Sequence, residues 1–359
     1  MSTAFDELGL VAPPGGDRSA RKQGERKKRR RRRVWIAVFA CLVVVVLPLA
    51  LVGGYLGWIG SSFDDNVGRI ADAFPPAEGR PAGVPGATNI LLIGSDSRTG
   101  LGDALSGAAT GDRSDTLMLV NIPADRSGVS IISLMRDSWV PIPGHGEAKL
   151  NAAFSWGGAP LVVQTVEGLL GARIDHVMVV DFGGFGSLAT ALGGVEVWSA
   201  HAFTTKNMPG YSFTEGLNRV EGSAALAFVR ERYAFADADF QRVRNQQAFI
   251  RGALNGFISA GTLLNPMRAH DAVTTLARHL VVDSGLTAAA AGRLAFELRG
   301  LKPEGILTFT LPTAGTGTSP DGQSIVRLDE TRMSVLKNAL AHDDLIRVFT
   351  SGALGDGRK

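Results

Sequence analysis

The sequence predicts an α/β fold: a layered α/β/α sandwich ectodomain with a mixed central sheet, preceded by one transmembrane helix. Three observations predict it. Apolar runs of strand length alternate with helical patterns between residues 88 and 345, as expected when helices cover a sheet. From Val34 to Phe63 no charged residue occurs, and a bilayer takes about 20 apolar residues to cross. Cys41 is the only cysteine, so no intrachain disulfide is available and an ordinary hydrophobic core must hold the exported part together.

In chain order, the expected organisation is a basic cytoplasmic tail (1–33), the transmembrane helix (34–59), a linker rich in Pro, Gly and Ala (60–87), a folded domain (88–345) and a C-terminal tail (346–359). Order starts near Thr88. Strands are expected in NILLI (89–93), TLMLVNI (116–122), VSIISL (129–134), HVMVVDF (176–182), VEVW (195–198) and GILTFTLPT (305–313). Helical patterns follow in LVVQTVEGLLG, FGSLATALGG and VEGSAALAF. Asp239 is a plausible N-cap for a helix from Phe240 to about Ser259, with Val243, Ile250, Leu254 and Phe257 on its apolar side. Further helices are expected within 266–299 and near 330–341.

Charge sets the topology. Residues 21–33 read RKQGERKKRRRRR, and Lys and Arg beside a span stay on the cytoplasmic side. A cleaved signal peptide is disfavoured because the apolar run exceeds such a core; a lipoprotein role for Cys41 is disfavoured because the run continues past it. The localisation expected is the cell membrane, single-pass, N-terminus inside and folded domain outside. Up to Arg33 the chain has eleven basic and four acidic residues, net +7 against +3 for the whole, which leaves −4 for the rest. Nucleic-acid binding needs a broad basic field, so no nucleic-acid partner is expected; the tail can also attract anionic membrane lipid.

The usual catalytic engines are missing. There is no GxxxxGK[ST], GxSxG, HExxH or CxxC, and the six histidines are scattered. What remains is Asp and Arg at expected strand ends: Asp96 and Arg98 in GSDSR, Arg113 and Asp115 in GDRSDT, Arg136 and Asp137 in LMRDSW. Carboxylates from two strand ends can hold Mg²⁺ alongside phosphate oxygens, and guanidinium forks match phosphate geometry. Taken singly, each motif also fits a turn or a local ion pair, and Lys149 and Asn151 could simply start a helix. A fourth cluster lies in FVRERYAFADADFQRVRNQQAFIR (228–251). If VRER is extended, Arg230 and Arg232 share a side; on the following helix Arg242 and Gln246 are neighbours. Arg251 reads as surface, and Arg244 stays open.

Together these blocks resemble the LytR–CpsA–Psr proteins of Gram-positive and actinobacterial envelopes. The resemblance spans about residues 88 to 258 and is carried by NILLIGSDSR, GDRSDTLMLV, VSIISLMRDSWVPIPG, KLNAAFSWGG, LNRVEGSAALAFVRERY and DADFQRVRNQQ in order. Two departures, Leu134-Met135 where the family usually has an Ile-Pro or similar pair and Asn245 where it has Arg, remove no residue with an expected role. The resemblance implies an α/β/α enzyme dependent on Mg²⁺, with Mn²⁺ as the alternative. Its reaction would move a glycopolymer from a polyprenyl-pyrophosphate carrier to peptidoglycan through a phosphodiester bond.

By motif, Asp96 and Asp115 would be metal-linked acids and, with Arg136, the catalytic set. Arg113, Arg136, Lys149, Arg230, Arg232, Arg242 and Gln246 would bind the pyrophosphate, supported by Arg98, Asp137 and Asp239. Two other readings compete: a polyprenyl-pyrophosphate phosphatase, and a non-catalytic binding or regulatory protein for envelope polymers. Arginine outnumbers lysine and Ala and Gly are abundant, which hints at a high-GC actinobacterium; composition does not choose among arabinogalactan, teichoic and capsular polymers.

Overall fold

Period-2 burial explains the sheet. The computed structural model describes residues 53–95, 114–181, 183–258 and 265–354. In β2 (Thr88–Ser95), β3 (Ser114–Ile122), β4 (Val129–Leu134) and β7 (His176–Asp181) alternate residues serve two different cores. Leu91, Ile93, Leu117, Leu119, Ile132 and Val179 enter one cluster; Met118, Ile131 and Val180 enter clusters on the opposite face. Side chains of successive strand residues point to opposite faces, so a sheet apolar on both must be covered on both.

The compact body begins at Trp58, and residues up to 66 continue a helix. β1 (Gly68–Ile70) follows. After β4 come a hairpin of β5 (Trp139–Ile142) and β6 (Gly146–Lys149), then α1 (Ala152–Leu170). Beyond β7 run α2 (Gly183–Ala191), β8 (Val195–Ser199), the short pair β9 (Phe203–Thr204) and β10 (Ser212–Phe213), β11 (Gly216–Val220), α3 (Gly222–Arg230) and α4 (Asp239–Ile258). The remainder is α5 (Pro266–Ala277), β12 (Leu280–Asp283), α6 (Ala288–Glu297), β13 (Ile306–Thr310), β14 (Thr313–Thr318), β15 (Ser324–Leu328), α7 (Glu330–Ala341) and α8 (Leu345–Thr350). Seven strands form the central sheet in the order β1-β12-β7-β2-β3-β4-β13. Parallel pairs (β1 with β12, β7 with β2, β4 with β13) mix with antiparallel ones, the mixed sheet expected. α1, α7 and α8 contribute to the core on one face, and α2, α3 and α4 to the other.

Four sequence expectations are corrected. The stretch read as a linker carries β1, which pairs with β12, and it carries Arg80, whose guanidinium lies 2.7 Å from the buried Glu167 carboxylate of α1. The region 266–299 holds not helices alone but β12 between them, because LVVD is buried at all four positions. GILTFTLPT breaks into β13 and the start of β14. VRER is not extended: α3 runs to Arg230, and the chain straightens only at Glu231, with ψ 132°.

The expected apolar side of α4 does face inward: Val243 is buried, and Ile250, Leu254 and Phe257 pack against the core. In α4 the amides Gln241, Asn245, Gln246 and Gln247 are buried, while Phe249 and Ala253 join the core. Asn245 donates to the Phe228 carbonyl and Gln247 to Ser133 Oγ, at 3.0 and 2.8 Å, which satisfies polar groups that burial would otherwise penalise. Further along, Gly252 meets β8 so closely that a Cβ would lie 2.1 Å from the Glu196 carbonyl oxygen. Gly252→Ala is expected to destabilise the protein by about 1–3 kcal/mol, read as a lower denaturant midpoint.

Among the described residues no helix is long and apolar enough to cross a membrane. Residues 34–52 of the expected span lie outside the described residues, as does the basic tail.

Candidate functional site

Three strand ends meet beside one helix start. Ser95 pairs with Ser114, and Leu117 with Leu134, so the end of β2, the start of β3 and the end of β4 lie at the same end of the sheet. After β4 the chain turns at once, with Ser138 N–H donating to the Met135 carbonyl at 3.0 Å. That turn places Arg136 against the first turn of α4. A small pocket opens there, lined by Thr116, Ser133, Met135, Arg136, Asp239, Arg242 and Gln246 among others.

Asp239 organises it. Its Oδ2 accepts from Arg136 (Nη2 at 3.0 Å and Nε at 3.2 Å) and lies 3.4 Å from Arg242 Nη2; its Oδ1 is 3.6 Å from Arg232 Nη1. Asp137 stands 3.5 Å from Arg136 and 3.2 Å from Lys149 Nζ at the end of β6. Among the described residues, four cations thus gather around two carboxylates. Arg242 is 7 % exposed and Gln246 fully buried, so solvent screens these charges weakly. Forked guanidinium donors suit phosphate. Gln246 Oε1 and Thr116 Oγ1, both buried, have no hydrogen-bond partner among the described residues; the first is an acceptor, the second can donate to an anion or accept a ligand.

The expected site residues fall into three groups. Arg136, Arg232, Arg242, Gln246 and the supporting Asp239, Asp137 and Lys149 are brought together. Asp239 is the first residue of α4, and its carboxylate is given to arginines. Arg230 ends α3 and is not among the residues lining the pocket. Asp96, Arg98, Arg113 and the side chain of Asp115 lie outside the described residues. Arg244 turns away to Asp237 and Gln241, and the exposed Arg251 reaches Thr308 Oγ1 at 2.7 Å. Among the described residues no group of three or more His, Cys, Asp or Glu is placed to hold a metal ion.

Sequence reasoning passed over Glu231. It is fully buried between two arginines. Its Oε2 accepts from the backbone N–H of Lys206 and Asn207 at 2.7 and 3.0 Å, and its Oε1 from Arg232 and Ala234 at 3.1 and 2.9 Å. Burial pushes its pKa up, but the backbone donors outweigh burial and hold it below the ordinary Glu value. The carboxylate fastens the chain where it leaves α3 and so fixes the backbone that carries Arg232. An acidic residue inside Arg-Glu-Arg was the available signal.

Glu231→Gln keeps the shape but turns an NH₂ toward backbone donors, and is expected to cost about 1–3 kcal/mol. Because the folded pKa is depressed, the carboxylate's stabilisation is present above the unfolded value and fades as pH falls through the folded one. The stability gap between wild type and Glu231→Gln should therefore narrow on acidification, measured as denaturant midpoints from neutral pH downward.

The sequence profile of the LytR_cpsA_psr family matches residues 76–342. A probable cell wall biosynthesis protein, LcpB, of Corynebacterium glutamicum is 37% identical over 281 residues, 76% of this chain and 65% of that protein. The polyisoprenyl-teichoic acid–peptidoglycan teichoic acid transferase TagU of Enterococcus faecalis is 29% identical, covering 86% and 96%. This chain spans just under two thirds of the length of LcpB and of the related LcpA. Among solved structures, TagV of B. subtilis superposes with a TM-score of 0.61 at 24% identity, over 72% of this chain and 97% of that one. A LytR-Csp2A-Psr enzyme from Actinomyces oris gives 0.59 at 22%, over 76% and 95%; at such identities the likeness speaks for the fold. The match over most of the chain, together with that fold, makes this protein a member of the LytR_cpsA_psr family.

Proposed function

We propose that this protein is a membrane-anchored phosphotransferase that moves a glycopolymer from a polyprenyl-pyrophosphate carrier to peptidoglycan. The observation that carries the reading is the cluster of Arg136, Arg232 and Arg242 around Asp239 beside a pocket. A diphosphate entering there would take over guanidinium donors that Asp239 now shares. In the reaction an acceptor hydroxyl oxygen bonds to the phosphorus next to the glycan, the bridging P–O bond breaks, and the carrier leaves as its monophosphate while the hydroxyl proton is released. Such a step depends on positioning and on neutralising charge spread over phosphate oxygens, which arginines fixed by carboxylates supply. The span expected at 34–59 would keep this site near a lipid-linked donor.

Mg²⁺, or Mn²⁺ in its place, belongs to the same proposal. Asp137 and Asp239 are engaged by cations; the family resemblance gives the metal's carboxylates to Asp96 and Asp115. The buried Thr116 Oγ1 beside Asp115, without a partner among the described residues, offers a compatible oxygen. When bound, the ion would neutralise phosphate charge that the arginines do not reach.

Full-length protein in detergent, given Mg²⁺, a polyprenyl-pyrophosphate-linked glycan and peptidoglycan, should yield wall-bound polymer, and chelation should stop it. Released phosphate with no linked polymer would instead identify a pyrophosphatase. Full complementation in cells by an Asp96→Ala/Asp115→Ala variant would identify a binding protein.

A further inference from the structure

The outer face of the β5–β6 hairpin continues from the arginine pocket, and beyond Lys149 it carries chemistry the transfer site does not use. Val140 and Ile142 point into the core, so Trp139 and Pro141 face out, opposite Lys149 and Glu147 in the ladder. Lys149 holds Asp137, which holds Arg136; the strip therefore begins at the pocket. Trp139 Nε1 donates to Glu147 Oε2 at 3.0 Å, which fixes the indole on the hairpin surface. At the far end His145, in the turn, stacks on Trp156 with centroids 4.7 Å apart and planes 27° apart.

Trp156 is held open by the backbone. It precedes Gly157 and Gly158, which leave helical geometry inside α1; Gly158, at φ 58° and ψ −152°, sits where only glycine fits comfortably. Trp156 remains 46% exposed. The hairpin and the start of α1 thus carry two indoles, one exposed and stacked on a histidine, the other pinned by Glu147. Four paired positions of hairpin span roughly 10–14 Å, the length of two to three sugar rings. Pyranose rings present C–H faces to an indole and hydroxyls to a carboxylate, whereas an acyl chain would meet the Glu147 carboxylate without recompense.

We propose that Trp139, Glu147 and the Trp156–His145 stack form a saccharide subsite leading to the arginine pocket, which holds the sugar residues of one polymer during transfer. This rests on the proposed transferase reading and names where its glycan lies. Two sources share the chemistry, the carrier-linked glycopolymer and the peptidoglycan acceptor.

The experiment titrates full-length protein in detergent with three probes: carrier-free peptidoglycan glycan strands, carrier-free wall glycopolymer, and inorganic pyrophosphate with Mg²⁺. Trp139→Ala and Trp156→Ala should each weaken one saccharide about tenfold and leave pyrophosphate binding unchanged, while Trp156→Phe should recover most of the loss. The weakened probe identifies acceptor or donor. Wild-type saccharide affinity in both Ala variants would overturn the subsite, as would equal loss of saccharide and pyrophosphate. Saccharide binding that depends on the tryptophans in a protein that transfers nothing would sink the transferase reading alone.

Discussion

Arg136→Ala should lower the transfer rate by about two to three orders of magnitude with the fold intact, the usual cost of removing one preorganised donor from developing charge. Arg136 is the best-held guanidinium of the site. It makes two contacts to Asp239 Oδ2 and one to Asp137, and its side chain is only 18% exposed. Arg136→Lys should restore little, because an ammonium lacks the planar fork. Arg244→Ala, by contrast, should stay near wild type, since Arg244 is committed to Asp237 and Gln241 outside the pocket. Initial rates with melting midpoints check both; a fully active Arg136→Ala protein would remove the site from the reaction.

Arg80→Ala should destabilise the protein by about 3–5 kcal/mol. Arg80 Nε and Nη2 grip the Glu167 carboxylate at 3.1 and 2.7 Å, with side chains only 8% and 3% exposed, and Nη2 also donates to the Ile174 carbonyl at 2.6 Å. The arginine lies over the Phe74 ring, 4.8 Å from its centroid. Removing it strands Glu167, which retains only the Ile174 N–H at 2.8 Å. Denaturant unfolding of the wild type and Arg80→Ala measures this. A change within about 0.5 kcal/mol, the range of ordinary surface substitutions, would mean that residues 60–87 behave as the linker their composition suggests.

Strands buried on both faces were legible because an apolar run bounded by turn residues has few other solutions. VSIISL is β4 at the expected bounds, and NILLI and TLMLVNI lie inside β2 and β3. β1 and β12 were not legible. GRI and LVVD are three and four residues long, and they become strands only because β7 offers an edge to β12 and β12 one to β1. Helix α4 shows a different limit. Its apolar side was legible, but Gln241, Asn245 and Gln247 are buried as well because they find partners inside, which polarity alone cannot reveal.

The candidate site divides along the same line. Arg136, Arg242 and Gln246 could be picked out because phosphate chemistry favours those residue types near strand and helix ends. Asp239 as the hub of three arginines required the turn after β4 to meet the start of α4, a tertiary fact. Glu231 was hidden for a related reason: its partners are backbone N–H groups at 206 and 207 as well as beside it, and no side-chain pattern marks them.

The central claim is that the arginines around Asp239 receive a diphosphate. An electron-density map of the protein with a polyprenyl pyrophosphate and Mg²⁺ tests it most directly. Phosphate oxygens are expected within hydrogen-bonding distance of Arg136, Arg232 and Arg242, with Gln246 and Thr116 lining the same pocket. Diphosphate bound elsewhere, with Asp239 still holding all three arginines, would contradict it.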